Sequence, residues 1–132
     1  MLSPEVRKIA IANPRHAPYG RAAIAAMKAM DVYVKVHDRL VLSDSVLQAA
    51  QLVESGGADI GIITRPHALA PSIRGKGRFW EVPLVAYPGR EQGGVIMSSA
   101  QDHSAAEALR DFMVGKEGKA VLARYGFETA GK

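Results

Sequence analysis

Short apolar runs alternate along the chain with segments of helical spacing. Ile9-Ala10-Ile11-Ala12 is a continuous apolar run that predicts a buried strand. Residues 22–30 follow with helical character. Arg39-Leu40-Val41-Leu42 predicts a second strand, and Val46, Ala49, Ala50 and Val53 then recur on one helical face up to the Ser55-Gly56-Gly57 stop. Asp59-Ile60-Gly61-Ile62-Ile63 predicts a third strand, whose β-branched character suits a parallel sheet covered on both faces. Strand, helix, strand, helix, strand is the signature of a doubly wound α/β layer. Residues 31–38 read either as a short helix or as an irregular approach to the second strand. Residues 65–78, rich in Pro, Gly, His and Arg, read as a surface connection with at most a helical turn at His67-Ala68-Leu69. Further on, Val82-Pro83-Leu84-Val85-Ala86-Tyr87 and Val95-Ile96-Met97 predict strands. Ala105, Ala108, Leu109 and Phe112 mark a helix that Gly115 interrupts or ends, and residues 119–124 form a last one.

Two of the strand-to-helix junctions carry candidate chemistry. In Asn13-Pro14-Arg15-His16-Ala17-Pro18-Tyr19-Gly20, Pro18 suits the first helical position, where its missing N–H is no loss. The amides of Tyr19, Gly20 and Arg21 then fall in a first turn without intrahelical acceptors, and Ala17 has no side-chain oxygen to cap them. Ser43-Asp44-Ser45 starts the next helix, and Val46 lies in its first turn whether Ser43 or Asp44 is the cap. Open amides at the positive ends of two helix dipoles, both near the carboxyl ends of strands, form a site for a small anion. Asn13 is expected to bond backbone in its turn, and Ser43 and Ser45 to cap. Arg15 and His16 add positive potential to the turn, which water also solvates.

Composition bounds the alternatives. The 132 residues suit one ordinary domain, and 48% hydrophobic residues suffice for a core. No apolar run approaches the ~20 residues needed to span a bilayer. Met1-Leu2-Ser3-Pro4 leads almost directly into the first strand, so the expectation is either a cytoplasmic chain or an export signal lying outside this sequence. There is no cysteine, hence no disulfide or thiolate metal site. The net charge of +4 raises nucleic acid as a partner, but the basic residues are dispersed, and Arg74-Gly75-Lys76-Gly77-Arg78 reads as a solvated turn without a recognition motif. His16, His37, His67 and His103 show no metal-ligand spacing, and no Ser, His and acid group forms a nucleophile motif. The expectation is no enzyme, no resident metal and no cofactor.

These residues carry a resemblance. Ile9-Ala10-Ile11-Ala12-Asn13-Pro14 with Ala17-Pro18-Tyr19-Gly20, then Ser45-Val46-Leu47-Gln48-Ala49, Gly57-Ala58-Asp59-Ile60-Gly61, Lys116-Glu117-Gly118 and Arg124-Tyr125-Gly126-Phe127, resemble the second half of the periplasmic molybdate-binding proteins of ABC importers. The resemblance implies a three-layer α/β lobe of the type II periplasmic binding fold with a mostly parallel sheet, incomplete because nothing here matches that family's first lobe. It implies residues 1–81 as the second-lobe core and residues 82–132 as a hinge strand and C-terminal helices that return to the first lobe. The ligand implied is a molybdate or tungstate oxyanion, held by backbone amides at Tyr19 and Val46. Thr64 stands where some members use a tyrosine hydroxyl, although its reach is shorter. Ala17, Gly20, Ser45 and Arg15 would give support. Delivery to a membrane ABC permease and a periplasmic location are implied as well. A lone lobe would bind weakly. Its exposed hinge strands predict a homodimer or higher oligomer, with possible exchange of C-terminal segments. Two rivals stand beside this reading: the ligand-binding effector domain of a LysR-type transcription regulator, which shares the architecture, and a structural fragment without ligand.

Overall fold

The computed structural model describes residues 1–89 and 91–128. Arg90 and residues 129–132, which belong to the predicted C-terminal segment, lie outside the described residues. The chain divides into two compact units, Met1–Gly89 and Arg90–Lys132.

In the first unit β1 (Ile9–Ala12) is the middle strand of a parallel sheet in the order β2-β1-β3, with β2 at Leu40–Ser43 and β3 at Ile60–Gly61. A central strand is covered on both faces, and all four residues of β1 are accordingly buried. Successive side chains point to opposite faces. Ile9 and Ile11 meet Ala23 and Met27 of α1 (Pro18–Ala29) and Val36 of α2 (Tyr33–Val36). On the other face Ala10 packs with Ala49 of α3 (Val46–Glu54) and with Ala58. Small residues there let α3 approach closely, and a Cβ on Gly61 would come within 2.8 Å of Val53 Cγ2. Helix, sheet and helix thus form three layers, as the alternating pattern predicts.

The C-terminal ends of α1 and α3 use left-handed residues. Asp31, with φ of 54°, follows the α1 cap at Met30, and Gly56, with φ of 77°, follows the α3 cap at Ser55. Residues 31–38 contain the short helix α2 and the start of a 3-10 turn at His37–Arg39. The predicted turn at His67 is the short helix α4 (Arg65–Leu69). The third strand is shorter than expected, although Ile62 N–H still donates to Ala10 O at 2.9 Å beyond its end.

The predicted strand at 82–87 is not formed. Pro83 precedes a 3-10 turn at Leu84–Ala86, closed by Ala86 N–H to Pro83 O at 2.9 Å. Ala86 is buried while Val85 is 97% exposed. An apolar run is a strand only where a sheet edge offers a partner, and here a proline has removed one donor. Residues 95–97 are likewise not in a strand.

The second unit holds α5 (His103–Val114) and α6 (Lys116–Arg124). Asp102 caps α5 by accepting Ala105 N–H at 2.8 Å, and Gly115 separates the helices. Gly118 lets α6 lie on α5: a Cβ there would overlap Phe112 O and come within 2.8 Å of Met113 Cα. No residue of α5 is buried, and Leu109, Phe112, Met113 and Val114 are exposed.

Candidate functional site

The carboxyl ends of β1 and β2 are direct neighbours, with Ala12 in register with Ser43. Asn13 N–H donates to Ser43 O at 2.7 Å and extends the pairing by one step. The buried Ser43 hydroxyl lies 3.1 Å from Ile11 O and 2.9 Å from Ser45 O, so it ties the strand end to the start of α3. This hydroxyl does not cap the helix, contrary to one of the sequence expectations.

After β1 the chain makes a tight turn. Asn13 Oδ1 accepts Arg15 N–H at 3.0 Å, and Asn13 O accepts Ala17 N–H at 2.8 Å. This is the backbone role expected of Asn13. The turn delivers Pro18 to the first position of α1, with no side-chain cap from Ala17. The Gly20 and Arg21 amides, expected to be open, are closed. Gly20 N–H and Arg21 N–H both donate to Ala17 O, at 3.1 and 3.2 Å. The first turn is tight enough for its cap carbonyl to serve an i+3 and an i+4 donor together, as is common at helix ends. Gly20 N–H is therefore already paired within the turn. Arg15 and His16 are exposed on the same turn.

At the second junction Ser45 is the cap, rather than Ser43 or Asp44. Its hydroxyl oxygen accepts Gln48 N–H at 3.1 Å, while Gln48 Oε1 accepts Asp44 N–H at 2.7 Å. Val46 occupies the first helical position. Its side chain is buried, and its N–H has no partner among the described residues. That amide sits where the dipole of α3 is positive.

The two junctions meet. Ala12, Ala17 and Val46 form one buried cluster, with Tyr19 and Ile63 packed against it. Ile63 leads to Thr64, so the ends of all three strand paths lie together. Thr64 sits at the cap position of α4, yet its hydroxyl makes no cap bond. Its carbonyl takes His67 N–H at 3.1 Å and Ala68 N–H at 3.2 Å, while its Oγ1 lies 2.6 Å from His67 Nδ1. The sequence pattern did not reveal this contact. The only signal for it was a Thr and a His three residues apart at a helix start.

A shallow cavity of about 320 Å³ lies at the other end of α1, lined by Lys28, Asp31, Tyr33 and Val34. Among the described residues no group of three His, Cys, Asp or Glu side chains is placed to hold a metal ion. No described helix is long and apolar enough to cross a membrane.

Comparison with known proteins agrees with this architecture. A family model described as bacterial extracellular solute-binding protein matches residues 1–128. The molybdate-binding protein ModA of Rhodobacter capsulatus is 30% identical over 129 residues, covering 98% of this chain and 50% of that protein. ModA of Azotobacter vinelandii is 31% identical over 121 residues, covering 92% and 48%. The solved Azotobacter vinelandii periplasmic molybdate-binding protein superposes with a TM-score of 0.87 at 28% identity, over 98% of this chain and 57% of that one. The chain thus spans about half the length of the relatives it matches.

Proposed function

We infer the function from descent: the chain belongs to the bacterial extracellular solute-binding protein family. We propose that it supplies one wall of an oxyanion-binding site, with molybdate or tungstate as ligand, and that it serves uptake through a membrane ABC permease in the periplasm. The relatives named for molybdate support the ligand class. The observation that carries the reading is the meeting of the α1 and α3 starts in one cluster, with the Val46 N–H left without a partner among the described residues.

In this reading Tyr19 and Val46 donate backbone N–H groups to the anion, and Thr64 donates its hydroxyl. Ala17, Gly20 and Ser45 shape the two turns, and Arg15 adds positive potential at the rim. Neutral donors at helix starts stabilise a dianion without a formal counter-charge. They also favour a fully deprotonated ligand, because a proton on the anion would face another donor instead of an acceptor. No bond is made or broken, so the chain acts as a binding protein and not as an enzyme.

Residues 1–81 carry the ligand wall in this scheme, and residues 82–132 carry packing surface for another lobe or a second copy. The exposed side chains of Leu84, Val85, Val95, Met97 and Phe112 support self-association.

The test is an amide NMR titration of the ¹⁵N-labelled chain with sodium molybdate. The expected result is saturable shifts centred on Tyr19 and Val46. Absence of shifts at both amides at ~10 mM, where even a Kd of about 1 mM would be mostly saturated, overturns the proposal.

A further inference from the structure

Thr64 and His67 form an unusual pair for a helix start. A threonine at the cap position ordinarily spends its side-chain oxygen on a backbone N–H two or three residues on. Here the His67 N–H is already satisfied by Thr64 O at 3.1 Å, and the hydroxyl is held by the imidazole instead, Oγ1 to Nδ1 at 2.6 Å. Both groups are half-buried. A hydroxyl has one proton to give, and this contact ties the direction of that proton to whether Nδ1 is protonated.

Two arrangements satisfy the contact. If Nδ1 is unprotonated, Thr64 donates its proton to the ring and turns only lone pairs toward any anion. If Nδ1 carries a proton, as in the other neutral tautomer or in the imidazolium, the ring donates to Oγ1. The threonine proton is then released for a second partner. We propose that His67 is a positioning residue whose Nδ1 proton decides whether Thr64 can donate a hydrogen bond to a bound oxyanion; this rests on the oxyanion reading above. Binding and Nδ1 protonation then favour each other, because each stabilises the same hydrogen-bond direction.

The neighbouring charges are committed elsewhere. Arg65, the other charged residue of α4, pairs with Glu81 at 3.1 Å. The charged residue of α3, which packs with α4, is Glu54, and it pairs with Lys76. Among the described residues the Thr64 hydroxyl is therefore the polar partner that the structure gives the His67 ring.

The experiment measures molybdate affinity by calorimetry at about pH 8 and about pH 6. Four proteins are compared: the full chain, Thr64→Val, His67→Ala and His67→Asn. The full chain is expected to bind more tightly at the lower pH, and Thr64→Val about tenfold more weakly than the full chain there. His67→Ala should lose the pH dependence. His67→Asn, whose amide N–H can donate permanently, should hold the low-pH affinity at both values. In parallel, ring ¹⁵N spectra should show molybdate driving His67 toward the form protonated at Nδ1.

If Tyr19 and Val46 respond to molybdate but His67→Ala keeps the pH profile of the full chain, the pairing has no role and this inference alone fails. It fails equally if Thr64→Val binds within twofold of the full chain. If neither amide responds, the oxyanion reading fails and takes this inference with it.

Discussion

Gly20, in the first turn of α1, lies against Ala12 at the end of β1. A Cβ on Gly20 would overlap the Ala12 carbonyl oxygen and come within 2.8 Å of the Ala12 carbonyl carbon and of Pro14 N. All three atoms belong to the backbone, so no rotamer change relieves the clash. Gly20→Ala is expected to destabilise the chain by about 3 kcal/mol, the upper end of overpacking effects. Urea unfolding followed by circular dichroism measures this. A loss below about 1 kcal/mol would mean that α1 shifts freely against β1.

Val46 offers a way to remove one amide while keeping the helix. It stands at the first helical position, where proline is well tolerated, and the extended φ and ψ of Ser45, −144° and 162°, suit a residue before proline. Val46→Pro should cost about 1 kcal/mol of stability through lost side-chain packing. It should weaken molybdate binding by about tenfold or more, the value of one hydrogen bond to a charged acceptor. Thermal melting and calorimetry separate the two effects.

Ser43→Ala would leave Ile11 O and Ser45 O without the hydroxyl that reaches both. The site is buried, so water cannot readily replace it. The expected cost is about 1–2 kcal/mol in urea unfolding, with a further loss of anion affinity because the start of α3 is no longer tied to the strand end.

Asp59 gives the fold a predicted acid dependence. Its Oδ2 accepts Lys8 N–H and Arg7 N–H, both at 2.8 Å, and these bonds hold the carboxyl below its ordinary value of 3.8. A carboxyl with a depressed folded pKa stabilises fully above its unfolded pKa, and the effect is lost as pH falls through the folded one. Asp59→Ala should therefore melt below the unaltered chain at pH 7, and the gap should narrow as the pH falls below the ordinary carboxyl value of 3.8. A gap that persists in acid would assign the effect to packing instead of charge.

Self-association is expected through the apolar side chains that neither unit buries. Sedimentation should show an apparent mass that rises with concentration, and Phe112→Asp on α5 should return the chain to a monomer. A monomer at all concentrations would remove this element of the proposal.

The sequence by itself determined the order of elements in the first unit. Continuous β-branched and alanine runs suit buried strands, and the 3.6-residue recurrence of Val46, Ala49, Ala50 and Val53 suits a helix covering one sheet face. Pro18 located the start of α1 because proline geometry is a local property, and the Ser43-Asp44-Ser45 cluster located the start of α3, although only the structure singled out Ser45 as its cap. Tertiary structure alone decided which amides stay open. Ala17 O closes Gly20 and Arg21 N–H, which stand three and four residues after that cap, whereas Val46 N–H, one residue after the Ser45 cap, is left over among the described residues. It also decided the fate of residues 82–87, because an apolar run cannot state whether a sheet edge will be there to pair with it. The link between Thr64 and His67 belongs to the same class: three residues of spacing permit it, and only the path of the chain after β3 brings ring and hydroxyl together.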